Sequence, residues 1–313
     1  MSLPLNEGNQ KANYDKLFSF ITLKSILGQV SMTQQLIAPQ NKPKVQPEPE
    51  KLDLSWVNIF FFAAFHIIAL VAAPFCFSWS ALGIAVFLHW LTGSIGICLA
   101  YHRILTHRSL EVPKWLERVL VTCGALALQG GPIFWVAGHN LHHAHTEDNE
   151  KDPYSAKKGF WWSHMGWLMF QQEKYFDYDH YKRYAPRANR DPYYRWLENN
   201  FIPVQIALGF LLLAIGGWSW VVYGIFVRAV TLWHCTWFVN SATHFWGYKN
   251  FECEDGSLNL WWVGILAYGE GWHNNHHFNP RVAKAGQRWW EIDVTWWAIQ
   301  VLRGLGLAKK VVM

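Results

Sequence analysis

The chain has 313 residues, of which 51% are hydrophobic, 17% aromatic and only 16% charged, where an ordinary soluble domain is roughly a quarter charged. These proportions exclude a disordered chain or a collagen-like repeat, and the 21 Trp, 20 Phe and 12 Tyr fit a protein lying in or beside lipid, where amphipathic rings suit the interface. A mean hydropathy of +0.01 requires substantial polar portions outside the bilayer, and a mild net charge of +5 without a basic-aromatic pattern argues against nucleic acid as a partner.

Residues 1–53 are polar, carry Pro43, Pro47 and Pro49, and show no apolar periodicity, so a disordered or weakly ordered tail is predicted there. Leu17 to Ile26 offers a short helix without the basic start and small-residue cleavage site of a signal peptide, and either Met1 or Met32 serves as the native start. Residues 54–313 form the membrane domain. Between Leu54 and Tyr101 there is no Lys, Arg, Asp or Glu, a stretch that at about 1.5 Å per residue exceeds two crossings of a core about 30 Å thick. The pattern predicts one transmembrane helix over Val57 to Phe77 and a second over Trp79 to Ala100, with the break near Pro74 to Ser80.

A second uncharged stretch runs from Asn199 to Val227, turns at Gly216, Gly217, Trp218 and Ser219, and resumes as apolar pattern to Gly247, which gives a second helical pair. Arg228 interrupts the fourth helix and reads as a paired or snorkelling side chain with no catalytic role. Both hairpin tips are short and uncharged, whereas thirteen Lys and Arg from Arg103 to Arg195 lie between the pairs, so both termini and this middle segment are placed in the cytoplasm. The predicted fold is therefore all-α and integral to the membrane: four transmembrane helices in two hairpins, with a cytoplasmic helical cap. A soluble helical protein with two hydrophobic hairpins is the competing reading, but water-facing helices need a polar stripe that these lack.

Fifteen histidines are present and unevenly spread. His102 and His107 lie in HRILTH, His139, His142 and His143 in HNLHH, and His273, His276 and His277 in HNNHH; Asn240 and His244 are four apart. The i, i+3, i+4 spacing puts three imidazoles on one helix face. His102 and His107, five apart, diverge by about 140° on an ideal α-helix, so they share a site only by straddling metals or sitting at a helix end. Imidazole suits Fe, Zn, Cu and Ni, and nine neutral histidines exceed what one ion takes, so two ions are expected. The paired Glu-x-x-His motifs of soluble di-iron bundles are absent, as are HExxH, GxSxG, a Walker A loop and GxGxxG. The five cysteines form no CxxC pair, which fits a reducing compartment and excludes a zinc ribbon. Histidine-only ligation of two metals beside a bilayer points to oxygen activation on lipid.

HRILTHR, HNLHH with the acidic turn TEDNEKDP, WFVNSATH and GEGWHNNHH together resemble the integral-membrane fatty acid desaturases of the delta-9 class, most like the cyanobacterial and bacterial acyl-lipid members, over about Leu54 to Arg288. The resemblance implies that His102, His107, His139, His142, His143, His244, His273, His276 and His277 hold two iron ions, with Asn240 reaching one through water. It also implies that Gln129, Trp135 and Thr236 line the bend of the acyl tunnel, and Trp237 is a further candidate wall. Animal acyl-CoA desaturases usually carry an Arg-Asp pair before the second histidine cluster and polar neighbours upstream. Gly130, Gly131, Phe134, Ala137 and Gly138 stand here instead, which favours a glycerolipid-borne chain over acyl-CoA.

His66, His89, His145, His164, His180 and His234 read as hydrogen-bonded structural residues, and His145 is left out of the ligand set. With O2 as co-substrate, electrons must come from a separate ferredoxin or small b-type cytochrome, because the chain has neither a ferredoxin-like cysteine set nor a fused haem domain. Lys182, Arg183, Arg187, Arg281, Lys284 and Arg288 are candidate docking cations for an acidic carrier, or simply membrane-adjacent positive residues. A membrane lipid hydroxylase of the same superfamily, or a non-catalytic metal-binding membrane protein, stand as alternatives.

Overall fold

The computed structural model describes residues 52–172 and 178–313. The predicted tail and its start lie almost wholly outside them. Among the described residues the chain is helical, with only isolated β-bridges. Helix α1 spans Trp56–Ala72, α2 Trp79–Trp90, α3 Lys114–Ala125, α4 Pro132–His145, α5 Phe160–His164, α6 Tyr178–Tyr184 and α7 Pro186–Arg190. The remainder is α8 Pro192–Val221, α9 Arg228–Asn240, α10 Ala242–Phe245, α11 Trp261–Leu266, α12 His273–Phe278 and α13 Val294–Gly304.

Two continuous helical runs, Trp79–Thr106 and Pro192–Phe245, are long and apolar enough to cross a membrane, and α1 is a shorter apolar helix. The expected break after α1 is present: Ser78 caps α2, its hydroxyl accepting from the Ala81 N–H at 3.1 Å. The expected turn in the second run is a sharp kink at Gly217, whose φ of 64° and ψ of −161° lie in a region essentially reserved for glycine. Asp191 starts that run, accepting from the Tyr193 N–H at 2.9 Å with Pro192 at the first helical position.

The second predicted helix needs correction. It does not stop at Ala100; α2 passes without a break into a π-helical segment over Leu91–Thr106, in which backbone bonds close over five residues rather than four. Side-chain alternation in sequence does not reveal that change of winding. The segment is buried for most of its length and forms the axis of the main core, where Leu99, Tyr101 and Ile104 meet Leu120 and Val121 of α3, Val136 of α4 and Ile299 of α13. Arg228 likewise does not interrupt the fourth helix, which runs on through a π-helical turn at Val222–Val227.

The Gly217 backbone predicts a position-specific cost. Gly217→Ala is expected to destabilise the solubilised protein by about 1–3 kcal/mol. Gly209→Ala, where a Cβ meets open space, is expected to be neutral or slightly stabilising. Thermal unfolding of both variants checks this, and equal melting temperatures would remove the kink from the account.

Candidate metal centre

The winding of the π-helix solves the geometry of the first pair. The His107 N–H donates to the His102 carbonyl at 3.0 Å, a bond over five residues, and this brings the two rings to the same face with centroids 4.7 Å apart. The pair sits at a helix end, one of the two arrangements expected, with His107 as the C-cap residue of the π-helix. The α4 helix turns His139, His142 and His143 inward, α12 does the same for His273 and His276, and α10 supplies His244.

These rings sort into two groups. His102, His107, His139, His143 and His276 each offer a nitrogen within 4.8 Å of all the others, and so do His142, His244 and His273. His277 lies between them, its ring 4.2 Å from that of His273 and 4.7 Å from that of His143. In the first group Nε2 faces Nε2 throughout: His107 to His139 at 3.1 Å, His139 to His143 at 3.1 Å, His143 to His276 at 3.0 Å and His276 to His102 at 3.2 Å. In the second, His244 Nε2 faces His273 Nε2 at 3.2 Å.

Acceptors hold the outer side of the rings. His102 Nδ1 lies 2.9 Å from Glu270 Oε2, His142 Nδ1 donates to Asp152 at 2.9 Å, His277 Nδ1 donates to Asp255 at 2.7 Å, and His244 Nδ1 lies 3.4 Å from Glu147. A neutral ring that donates from Nδ1 keeps a bare lone pair on Nε2, the form in which histidine binds metals. His277 Nε2 shows the result directly, since it is buried and has no hydrogen-bond partner.

The same conclusion follows from charge. Burial, reinforced by the neighbouring imidazoles, pushes His107, His139, His143, His273 and His276 well below the ordinary histidine range, and His277 down to about 4. Burial alone would raise the Glu270 carboxyl, but His102 and Arg103 bring it down to about 2, so it stays an anion. Each Nε2 presents one in-plane site, a hydrogen or a lone pair, yet His139, His143 and His276 each face two neighbours. Hydrogens alone do not serve those contacts. Nitrogens about 2.1 Å from a shared ion stand roughly 3.0–3.4 Å apart on neighbouring coordination positions, so the donor set fits metal ions.

The sequence singled out all nine histidines but not the four carboxylates. Glu147 and Asp152 belong to the acidic turn after the second cluster, a signal that was visible, and Asp255 and Glu270 flank the third. One Glu-x-x-His spacing does occur, Glu270 to His273, yet the Glu270 carboxylate turns to His102 and Arg103 instead. Asn240 ends α9, half-buried, with no hydrogen bond to any described histidine, and His145 stays outside both groups.

Among the candidate wall residues, Gln129 Nε2 donates to Thr236 Oγ1 at 3.1 Å, and Trp135 Nε1 donates to Gln129 Oε1 at 3.4 Å. Trp135 also stacks on His139 with centroids 5.1 Å apart. Trp237 separates from these three and packs on Phe62, Trp233 and His164. The side chain of His180 is outside the description. His66, His234 and His164 form one chain, with Nε2 to Nε2 at 3.0 Å and Nδ1 to Nε2 at 2.9 Å, closed by Ser241 on His164 Nδ1 at 2.9 Å.

Comparison with known families decides what this centre belongs to: the fatty acid desaturase family matches residues 77–300. The chain belongs to that family. It is accordingly an oxidoreductase and, with its apolar helices, a membrane protein. It is 62% identical over 259 residues to the sn-2 palmitoyl-lipid 9-desaturase of Nostoc sp. (strain 36), covering 83% of this chain and 90% of the relative. It is 49% identical to the sn-1 stearoyl-lipid 9-desaturase of Synechocystis sp., covering 87% and 82%. The acyl-CoA 5-desaturase of Anemone leveillei is 39% identical, with 87% and 86% covered.

In this desaturase the carboxylates are expected to matter through the metal. Asp152→Asn leaves the His142 side chain in place but weakens its orienting partner, so a loss of about 10–100-fold in metal affinity is expected. Metal content against a graded chelator measures it, and wild-type retention would remove Asp152 from the centre.

Proposed function

We propose that the chain is an O2-dependent di-iron desaturase that places a cis double bond, at the delta-9 position, in a saturated acyl chain carried by a membrane glycerolipid. The observation that carries this is the convergence of eight imidazoles on two adjacent groups, with the His277 ring between them. When bound, two irons supply the oxygen activation that breaking unactivated C–H bonds requires and that amino acids do not provide. The rings would hold the ions, Asp152 and Asp255 fix the tautomers of His142 and His277, and burial keeps water from the reacting chain. Asn240 is proposed to reach one ion through water.

The residues around the centre have separate tasks. Gln129, Trp135 and Thr236 form the wall that bends the acyl chain beside His139, with Trp237 a further wall in the same helix. Four crossings in two hairpins are supported by the apolar α1, the long helix after it and the Gly217 kink, and the Lys and Arg lying between the pairs support a cytoplasmic cap and termini. An acidic ferredoxin or small b-type cytochrome would meet the exposed Arg183, Arg187, Arg281 and Arg288; Lys182 is paired with Asp179, and Lys284 is half-buried.

The carrier follows from the entrance. The N-terminus of α4, a ready anion site in other proteins, is already filled: the Glu198 carboxyl accepts from the N–H groups of Ile133 at 2.7 Å and Phe134 at 3.2 Å. Ala137 and Gly138 offer no charge to a phosphate. A glycerolipid needs none, since its head group stays at the interface. The palmitoyl-lipid and stearoyl-lipid specificities of the Nostoc and Synechocystis relatives support the same choice.

Two outcomes are expected. His139→Ala, His143→Ala, His273→Ala and His277→Ala each abolish desaturation with membrane insertion intact, while His145→Ala is near neutral; more than about a tenth of wild-type activity in two of the four would sink the ligand set. With iron, reduced ferredoxin and O2, the purified enzyme desaturates a glycerolipid at least about tenfold faster than acyl-CoA, a difference of about 1.4 kcal/mol. Equal turnover would reverse the carrier assignment.

A further inference from the structure

Arg228 is completely buried in the fourth helix, and among the described residues no partner of its guanidinium is a carboxylate. Nη1 donates to the Leu126 carbonyl at 2.6 Å and lies 3.5 Å from Thr92 Oγ1, and Nε donates to the Gly224 carbonyl at 3.0 Å. With the Gln205 amide in the orientation that satisfies both groups, Nη2 donates to its oxygen at 3.2 Å and its nitrogen donates to Leu126 O at 3.0 Å. Leu126 is the C-cap of α3, so its carbonyl stands at the negative end of the helix dipole and offers a cation compensation without an anion.

Further along the same helix the pattern continues. The Trp233 indole N–H is shared between the carbonyls of Ala127 and Leu128, each at 3.2 Å, and Thr236 Oγ1 accepts from Gln129. Three side chains of α9 thus grip four consecutive residues, 126 to 129, as a ladder. The gripped segment is not relaxed: Leu128 has a φ of 56°, rare for a branched non-glycine residue, and Gly130 follows at 95°. Such a conformation persists only where surrounding bonds over-determine it. Its last residue, Gln129, accepts from Trp135, and Trp135 stacks on the ligand ring of His139.

We infer that Arg228 and Trp233 are positioning residues that set the register between the acyl wall and the metal centre, and thereby the position of the double bond. The inference rests on the desaturase reading and extends it to residues that touch neither ion nor chain. A forked donor reaches Leu126, Gly224 and Gln205 together, which accounts for a buried arginine where a single-donor side chain would leave carbonyls unpaired. Slack in residues 126 to 129 passes to Gln129 and Trp135, so neighbouring methylenes come within reach of the centre.

Trp233→Phe keeps an aromatic side chain, though a smaller one, and removes the N–H; Arg228→Lys keeps a cation and removes the fork. Full-length wild type and both variants are expressed in a host with saturated lipids, and products are mapped by positional derivatisation, with cobalt(II)-loaded protein examined in parallel for the visible bands that report the geometry at His139. Both variants are expected to raise a neighbouring positional isomer at least about tenfold over wild type, to shift the cobalt bands, and to bind as much metal as wild type. A single unchanged isomer, whatever the loss of rate, would overturn the ladder as a device of specificity. Should Arg228→Lys fail to accumulate, Trp233→Phe decides. Should the wild type make no double bond, the desaturase reading falls and the bands decide alone: unmoved bands in the variants overturn the ladder too.

Discussion

Imidazole nitrogens held 3.0 to 3.2 Å apart, with His139, His143 and His276 each facing two neighbours through one Nε2 atom, are an arrangement that hydrogens alone do not satisfy and that cations among them would. The surrounding protein is organised to impose it. Asp152 and Asp255 on the outer nitrogens choose the tautomers of His142 and His277, burial holds His107, His139, His143, His273 and His276 well below the ordinary histidine range, and the helices that carry the rings are fixed by contacts well outside the centre. Such a site is preorganised at the expense of local stability, which is a common property of metal and catalytic sites.

Arg103 shows how that geometry is enforced. It follows His102 in the π-helix, and its guanidinium holds Asp293 through two bonds of 3.0 Å and Glu270 at 3.0 Å, with the Ala283 carbonyl at 2.7 Å. Asp293 in turn caps α13 by accepting from the Trp296 N–H at 2.8 Å. One buried charge network therefore joins the first histidine pair, the carboxylate that orients His102 and the C-terminal helix. A buried ion pair is a poor source of net stability, and its value here is geometric: it leaves Glu270 one position in which to stand. Asn274 and Asn275 play the matching neutral role in the third cluster, where Asn275 reaches Glu291, Asn259 and the Ala285 carbonyl.

The membrane-helix half is held differently. Its contacts are aromatic and aliphatic, such as Phe61, Phe62 and Phe65 around Trp233, and its few buried polar groups form local chains. Arg228, the His66–His234–His164 chain and the Gln129–Thr236 pair each satisfy donors that lipid cannot satisfy. These polar links are directional where the apolar packing is not, so they fix the rotation of α9 against α1 and the segment before α4.

The sequence alone pointed to the chemistry: two HxxHH clusters at helical spacing, an HxxxxH pair, His244 four residues from Asn240, long stretches without charge, and no competing motif. Those are properties of residue type and local period, which survive without knowledge of the fold. It also marked the kink at Gly217 and the start of α2, because glycine and a capping serine act locally. The winding that aligns His102 with His107 became visible in the folded chain alone, since a π-helix differs from an α-helix by its hydrogen bonds and not by its residue pattern. The pairing of Glu270 with His102, of Asp255 with His277 and of Arg228 with Leu126 belongs to the same class: each joins residues far apart in the chain or on different elements, and no period in the sequence records which distant partner a buried polar group will find.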